Sequence, residues 1–389
     1  MKIGIVVRIL WSAGTQKFAI DQALALQNAG HDVTIIFLRK TKNSQAYEEL
    51  LKTIDYKILT TINQSKLTPF YDFITGIFIQ NRKGDGRVDY NLLRQFPSYI
   101  EDMGFNYLIC QDQWAGLAGY YSSRKLGVKY AVVIHEQVNN FPWMKGVKRI
   151  FAFLALRFQR KILYNADRIF TETVAVAKTV DEFYKGKLNV NHVFPGMKDN
   201  IVFNYSTKKN QILMISYWNE IKVPEVYIPL FKEIEGYNFV IAGNWISQDY
   251  RNNYIEKLRQ EGVLNKITFI DNMSETQKLE LFHESKFYVR FGFEEMGPGY
   301  GTIEALEAGL PVICNTGLGI SDYLNNKSFA LVLNETSDLQ KIRDFILANE
   351  EVDKYSLLQR EIQSMLKIFS WNRHASELLK IITDGKNAL

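Results

Sequence analysis

A chain of 389 residues is too long for one ordinary core, and 47% hydrophobic against 23% charged residues supplies the material for two, which excludes disorder as the main state. Forty-seven basic against forty-two acidic residues leave a net charge of +5 spread along the chain, so nucleic acid is not the expected partner. No run reaches the roughly 18 apolar residues of a membrane span, no signal-peptide pattern opens the sequence, and Cys110 and Cys314 each end an apolar run as small buried thiols, so a reduced, cytoplasmic protein is expected.

Residues 3–7 read as a buried strand, followed by a loop and a helix whose Ala19, Ile20, Ala23 and Leu26 share one face, with Gly30 as its stop. The apolar, β-branched run 33–38 follows, and strand, helix, strand in so short a span is a βαβ unit of a parallel sheet. Residues 107–110, a helix over 115–127 and residues 130–135 continue the series. A second series has strands at 212–216, 239–243, 267–270, 287–290, 311–315 and 331–333, with helical stretches between most of them. The two join near 195–204, which argues an α/β chain of two doubly wound domains, 1–199 and 200–370.

The chemistry concentrates in residues 287–315, where an apolar strand runs into Glu294 and Glu295, a loop with Gly297, Gly299 and Gly301, a helix opening near Thr302, and another strand. Glycines let the backbone approach a ligand, and the amides of Gly299, Tyr300, Gly301 and Thr302 at a helix N-terminus attract anions, so a diphosphate would sit here. Glu304, read in the first helical turn, can accept two hydrogen bonds from a ribose diol, with Glu295 across the loop. Glycine loops also occur without phosphates, and acidic first-turn residues are often only dipole partners. His135 closes a parallel strand, either as a structural hydrogen-bonding residue or as part of a site at the sheet's C-terminal edge. His31, His192, His283 and His374 lack metal-ligand spacing, so no metal and no cofactor are expected. Lys145, Lys148, Arg149, Arg157, Arg160 and Lys161 interleave with apolar residues, as in a helix on an anionic membrane or in a packed helix with a solvated basic face. Residues 69–90, rich in aromatics, form an acceptor loop or core.

The order of these features resembles the retaining GT-B glycosyltransferases of the family-four type, glycosyl transferases group 1, which include sucrose synthases and many mannosyl- and glucosyltransferases. That family's signature is a Glu, seven residues, then Glu-Ala, a small residue, Gly and a Pro-Val strand, and IEALEAGLPVIC at 303–314 matches its second half. The resemblance implies two Rossmann-like domains facing a cleft, with the first completed by a C-terminal helix at 371–389, where FSWNRHASELL matches. It implies Glu304 on the donor ribose and Glu295 on the donor sugar. The spacing between them is one residue longer than the family's, so Glu294 remains the alternative. WSAGTQKFAIDQALALQNAGHDVTII resembles the family's first glycine loop, which implies that Gly14 and Thr15 approach the donor phosphates or the acceptor. DQWAGLAGYYSSRKLGVKYAVVIHE implies that His135 lies near the reacting sugar. NADRIFTET and HVFPGMK match a strand of the first domain and the start of the second.

One departure stands out. Where the family carries Arg, then Lys five residues later, SYWNEIK places Tyr217 at the Arg and Lys222 at the Lys, and half of the phosphate clamp is missing. Arg290 and Arg8, at strand ends, are the candidates for the second cation, and Arg290 is favoured unless it merely pairs with Glu294. The implied activity is retaining transfer of a sugar from a UDP- or GDP-linked donor to a glycan or lipid-linked acceptor, the leaving phosphate assisting front-face attack. A non-catalytic nucleotide-sugar or glycan binder, and an epimerase or phosphorylase, are the alternatives. A dehydrogenase is disfavoured because RILWSAGTQ lacks the Gly-x-Gly-x-x-Gly fingerprint.

Overall fold

The computed structural model describes residues 1–10, 14–40, 47–59, 90–135, 146 and 149–384. The aromatic segment 69–90 lies almost wholly outside them, as do residues 11–13 of the first loop and Lys145 and Lys148 of the basic stretch. The chain divides into one unit of Met1–Gly196 with Trp371–Leu389 and another of Met197–Ser370.

In the first unit, β1 (Lys2–Leu10), β2 (Asp32–Lys40), β3 (Asp55–Ile58), β4 (Tyr107–Cys110), β5 (Lys129–Ile134), β6 (Arg168–Thr171) and β7 (Val190–His192) form one sheet in the order β3-β2-β1-β4-β5-β6-β7. All neighbours are parallel, and Ile5 sits in register between Ile35 and Ile109. Ile3, Ile5, Val6, Ile35, Ile36 and Ile109 are fully buried, as strands covered on both faces require. The helix Gly14–Asn28 buries the expected Ala19, Ile20, Ala23 and Leu26, and Gln22 with them. The helix Trp371–Asp384 returns to this unit and lays Trp371 on Phe18, ring centroids 5.6 Å apart. Edge strands β3 and β7 have no fully buried position, so they carry no apolar run by which the sequence could announce them.

In the second unit, β8 (Gln211–Ile215), β9 (Asn238–Ala242), β10 (Ile267–Ile270), β11 (Phe287–Arg290), β12 (Val312–Asn315) and β13 (Ala330–Leu333) form a parallel sheet in the order β10-β9-β8-β11-β12-β13. An aromatic core lies against it: Trp218 Nε1 donates to the Ala242 carbonyl at 3.0 Å, and the Tyr254 hydroxyl to that of Pro224 at 2.9 Å. Strand order reverses between β1 and β4 in one unit and between β8 and β11 in the other. At such a switch, successive crossovers leave the sheet on opposite faces and open a crevice at the strands' C-terminal ends. Among the described residues no helix is long and apolar enough to cross a membrane.

Candidate active site

At the second switch point, β11 ends on Arg290, only 5% exposed. Its Nη2 donates to both carboxylate oxygens of Glu295, at 2.6 and 2.8 Å, and its Nη1 to the Phe291 carbonyl at 2.9 Å. Burial works against the guanidinium charge, but Tyr227, Glu295 and Tyr288 around it outweigh that and raise its pKa above the ordinary arginine value. Lys222, from the loop after β8, pairs with the same Oε1 of Glu295. Two cations thus converge on one carboxylate at the end of β11. Tyr227 anchors the group from below: its ring stacks on Phe291 with centroids 5.1 Å apart, and its hydroxyl accepts from the Phe291 amide at 2.9 Å.

Glu295 is held by its backbone as well as its side chain. Its amide donates to the Gly317 carbonyl at 3.0 Å, and the Gly319 amide donates to its carbonyl at 2.8 Å. Asn315, ending β12, closes both polar groups of Gly292, accepting from its amide at 2.8 Å and donating to its carbonyl at 2.9 Å. Glu294, exposed and at φ 57°, is the turning residue, so Glu295 is the glutamate that meets the cations. Arg290 accordingly pairs with Glu295.

Gly299, at φ 65°, turns the chain straight into the helix Tyr300–Glu307. The helix therefore opens at Tyr300, ahead of the expected start near Thr302, and Glu304 falls in its second turn, not its first. The dipole-partner reading of Glu304 weakens with that shift, because the effect fades within one turn. Gly301 lets Tyr288 approach: a Cβ there would stand 2.6 Å from its hydroxyl oxygen. Thr302 is fully buried, and its hydroxyl has no hydrogen-bond partner among the described residues.

Glu304 Oε1 lies 2.8 Å from Lys278 Nζ, which also reaches Glu275 at 2.8 Å. Burial lowers the Lys278 pKa, but the two glutamates outweigh it and raise the value overall. Glu304→Ala is expected to leave the protein folded, since Lys278 keeps Glu275. If Glu304 meets a donor ribose, as the resemblance implies, loss of that charge-assisted hydrogen bond costs about 1.5–3 kcal/mol, roughly ten- to 150-fold in donor affinity. Calorimetry with UDP and GDP measures this, and unchanged affinity in a folded variant removes Glu304 from the ribose.

The other expected residues belong to the first unit or to open surface. Tyr217, at the position where the family has Arg, is 54% exposed. Arg8 is committed to Asp112, whose Oδ1 also accepts from the Trp114 and Ala115 amides at 2.7 and 2.6 Å, at the start of the helix Ala115–Leu126. Gly14 and Thr15 open the helix Gly14–Asn28. His135, 9% exposed just past β5, has Nδ1 2.9 Å from Glu172 and Nε2 3.1 Å from Gln111 Oε1. Cys110 and Cys314 are free and buried, and burial pushes the Cys314 thiol up to about 12. Among the described residues no three His, Cys, Asp or Glu side chains group so as to hold a metal. Lys278, Tyr227, Asn315, Gly317, Gly319 and Glu172 escaped the sequence reading. The TGLGI run at 316–320 was the one signal for any of them, two glycines after a buried strand.

The sequence profile of the family described as Glycosyl transferases group 1 matches residues 198–356. No curated protein matches the chain by sequence. Among solved structures, HepE from Anabaena in complex with UDP and glucose superposes with a TM-score of 0.76 at 13% identity, over 99% of this chain and all of that one. Sucrose-phosphate synthase from Thermosynechococcus elongatus gives 0.72 at 14%, covering 100% of each chain. A glycosyltransferase from Rickettsia africae gives 0.71 at 17%, covering 98% of each. At these identities the likeness is one of fold, the GT-B arrangement of two parallel sheets.

Proposed function

We propose that this chain, whose residues 198–356 match the profile of the glycosyl transferases group 1, moves a hexose, with retention, from a nucleotide-sugar donor to a glycan or lipid-linked acceptor. The observation that carries this reading is the convergence of Lys222 and Arg290 on Glu295 beside the loop that opens the helix Tyr300–Glu307. Departure of a nucleoside diphosphate builds negative charge, and two preorganised cations together with helix-opening amides are the groups that stabilise it. Arg290 then supplies the cation that Tyr217 cannot. In the same reading Glu295 meets the sugar hydroxyls and Glu304 the ribose, and the transfer needs no metal.

HepE holds UDP and glucose, which makes UDP-glucose the first donor to try, with GDP-linked sugars next. Slow release of nucleoside diphosphate from one donor, without acceptor, separates an enzyme from a binder. If every donor stays intact while binding tightly, the catalytic reading fails. Because the motif set resembles a retaining family, the product is expected to keep the donor's anomeric configuration. Proton NMR of fresh product reads this directly, and an inverted linkage overturns the mechanism.

A membrane-proximal acceptor is supported by the helix Arg149–Tyr164. It buries Ala155, Gln159, Ile162 and Leu163 and leaves Ile150 and Phe153 more than 60% exposed beside Arg149 and Arg157. Exposed apolar side chains among cations suit an anionic lipid surface, where each basic residue contributes about 1 kcal/mol. Sedimentation with anionic vesicles should exceed that with neutral vesicles at low salt, and Ile150→Ser with Phe153→Ser should reduce it severalfold. Equal sedimentation with both lipids removes the proposal.

A further inference from the structure

Lys278 stands one residue beyond a capping box that fixes the start of the helix Glu275–Glu284. The Ser274 hydroxyl accepts from the Gln277 amide at 3.1 Å, and the Ser274 amide donates to Gln277 Oε1 at 2.9 Å. Glu304 is carried by the helix Tyr300–Glu307, and the two helices are tied together near their far ends. There Lys208 Nζ donates to the Phe282 carbonyl at 3.2 Å and to that of Ala308 at 3.4 Å. The Lys278 ammonium and the Glu304 carboxylate, 2.8 Å apart, are therefore set by two anchored backbones.

Their bond leaves a donor and an acceptor unspent side by side. Burial works against the Lys278 charge, but Glu304 and Glu275 outweigh it, so the ammonium keeps its three N–H groups. Among the described residues its side chain meets only Glu304 and, at 2.8 Å, Oε2 of Glu275, so at least one N–H is left over. The Glu304 side chain bonds only to Lys278 among those residues, through Oε1, and Oε2 remains an acceptor. Both side chains are 13% exposed, enclosed enough to strengthen a hydrogen bond and open enough to receive a ligand. A donor beside an acceptor suits a hydroxyl, whose oxygen takes one hydrogen bond while its proton makes another. An ionised phosphate oxygen only accepts and an ammonium only donates, so neither satisfies both groups. A diol laid across both Glu304 oxygens would have to share Oε1 with Lys278.

We propose that Lys278 is a second ribose-binding residue, and that it and Glu304 hold one ribose hydroxyl from both sides. That hydroxyl donates to Glu304 Oε2 and accepts from Lys278 Nζ. The assignment rests on the glycosyl-transfer reading, in which Glu304 meets the donor ribose. Its consequence is that a single hydroxyl, and not the 2′,3′-diol as a pair, carries the recognition of the sugar of the nucleotide.

The test is calorimetry of the full chain with UDP, 2′-deoxy-UDP and 3′-deoxy-UDP, or with the guanosine series where GDP binds more tightly. In the wild type one deoxy form should bind about ten- to 150-fold more weakly than the parent, and the other within about threefold of it. Lys278→Met should weaken the parent by at least about tenfold, yet leave the sensitive deoxy form within about threefold of its wild-type affinity, because that ligand has no hydroxyl for Lys278 to meet. Equal weakening of all three ligands would mean that Lys278 only clamps the two helices, and no weakening would mean that it does not touch the ligand; either overturns the proposal. Should Lys278→Met fail to fold, the wild type decides, since equal losses from the two deoxy forms belong to a diol and overturn it as well. Glu304→Ala separates the two levels of inference. If it weakens UDP and Lys278→Met does not, the ribose reading stands and the role of Lys278 falls; if neither variant weakens UDP, both fall.

Discussion

Arg290→Gln should weaken binding of a nucleoside diphosphate about ten- to 150-fold while leaving the unphosphorylated nucleoside almost unaffected. On the proposed reading a donor diphosphate brings about two negative charges to Arg290 and Lys222. A charge-assisted hydrogen bond from a guanidinium contributes about 1.5–3 kcal/mol, and the Gln amide, which is neutral, keeps little of it. Arg290 also holds Glu295 through two bonds, so its loss lowers stability. Breaking a fully buried pair costs about 3–5 kcal/mol, and the 17% exposure of Glu295 places this one toward the lower end. Lys222→Gln is the companion variant, because the lysine is more exposed and its loss leaves the Arg290–Glu295 pair intact. Calorimetry with UDP and uridine, or GDP and guanosine, compares the two ligands. Equal losses for both, or none, would show that Arg290 does not bind phosphate.

The second large effect is expected at Gly319. A Cβ at this position would stand 1.9 Å from the Met296 carbonyl oxygen and 2.7 Å from that of Gly297. Both are backbone atoms, and the Gly319 amide is itself bonded to Glu295, so neither side can withdraw without moving the glutamate. Gly319→Ala should therefore cost about 3 kcal/mol. It should lower the melting midpoint by roughly 6–12 °C and reduce nucleoside diphosphate affinity more than tenfold. Gly236→Ala is the control: its φ of 76° strains an alanine, but nothing lies within 4 Å of the added methyl, and it is remote from Glu295 in the fold. Matched losses of stability and affinity in the two variants would mean that the tight passage at Gly319 does not position the site.

Much of the fold was legible because a parallel strand covered on both faces is written as a continuous apolar run. Ile3 to Val7, Phe287 to Arg290 and Val312 to Asn315 are such runs, and all lie in strands. Edge strands β3 and β7 were not legible, since their residues are at most half-buried and form no continuous apolar run. Within the candidate site, Glu295, Glu304 and Lys222 were named from local spacing and resemblance. The start of the helix at Tyr300 was not, because it depends on the left-handed Gly299 and not on a capping side chain.

Two alternating α/β series, the loop that carries the glutamates, and the absence of an arginine where Tyr217 stands all follow from the order of residues along the chain. Hydrophobic periodicity and glycine placement are local properties of a chain, readable within a few residues. That Arg290 and Lys222 share Glu295, that Lys278 holds Glu304 across 26 positions, and that His374 meets Gln22 across 352 emerge only once the chain is folded. A hydrogen bond reaches about 3 Å, and which distant residues come that close is set by how strands are ordered and helices laid on them. No spacing along the chain encodes that order.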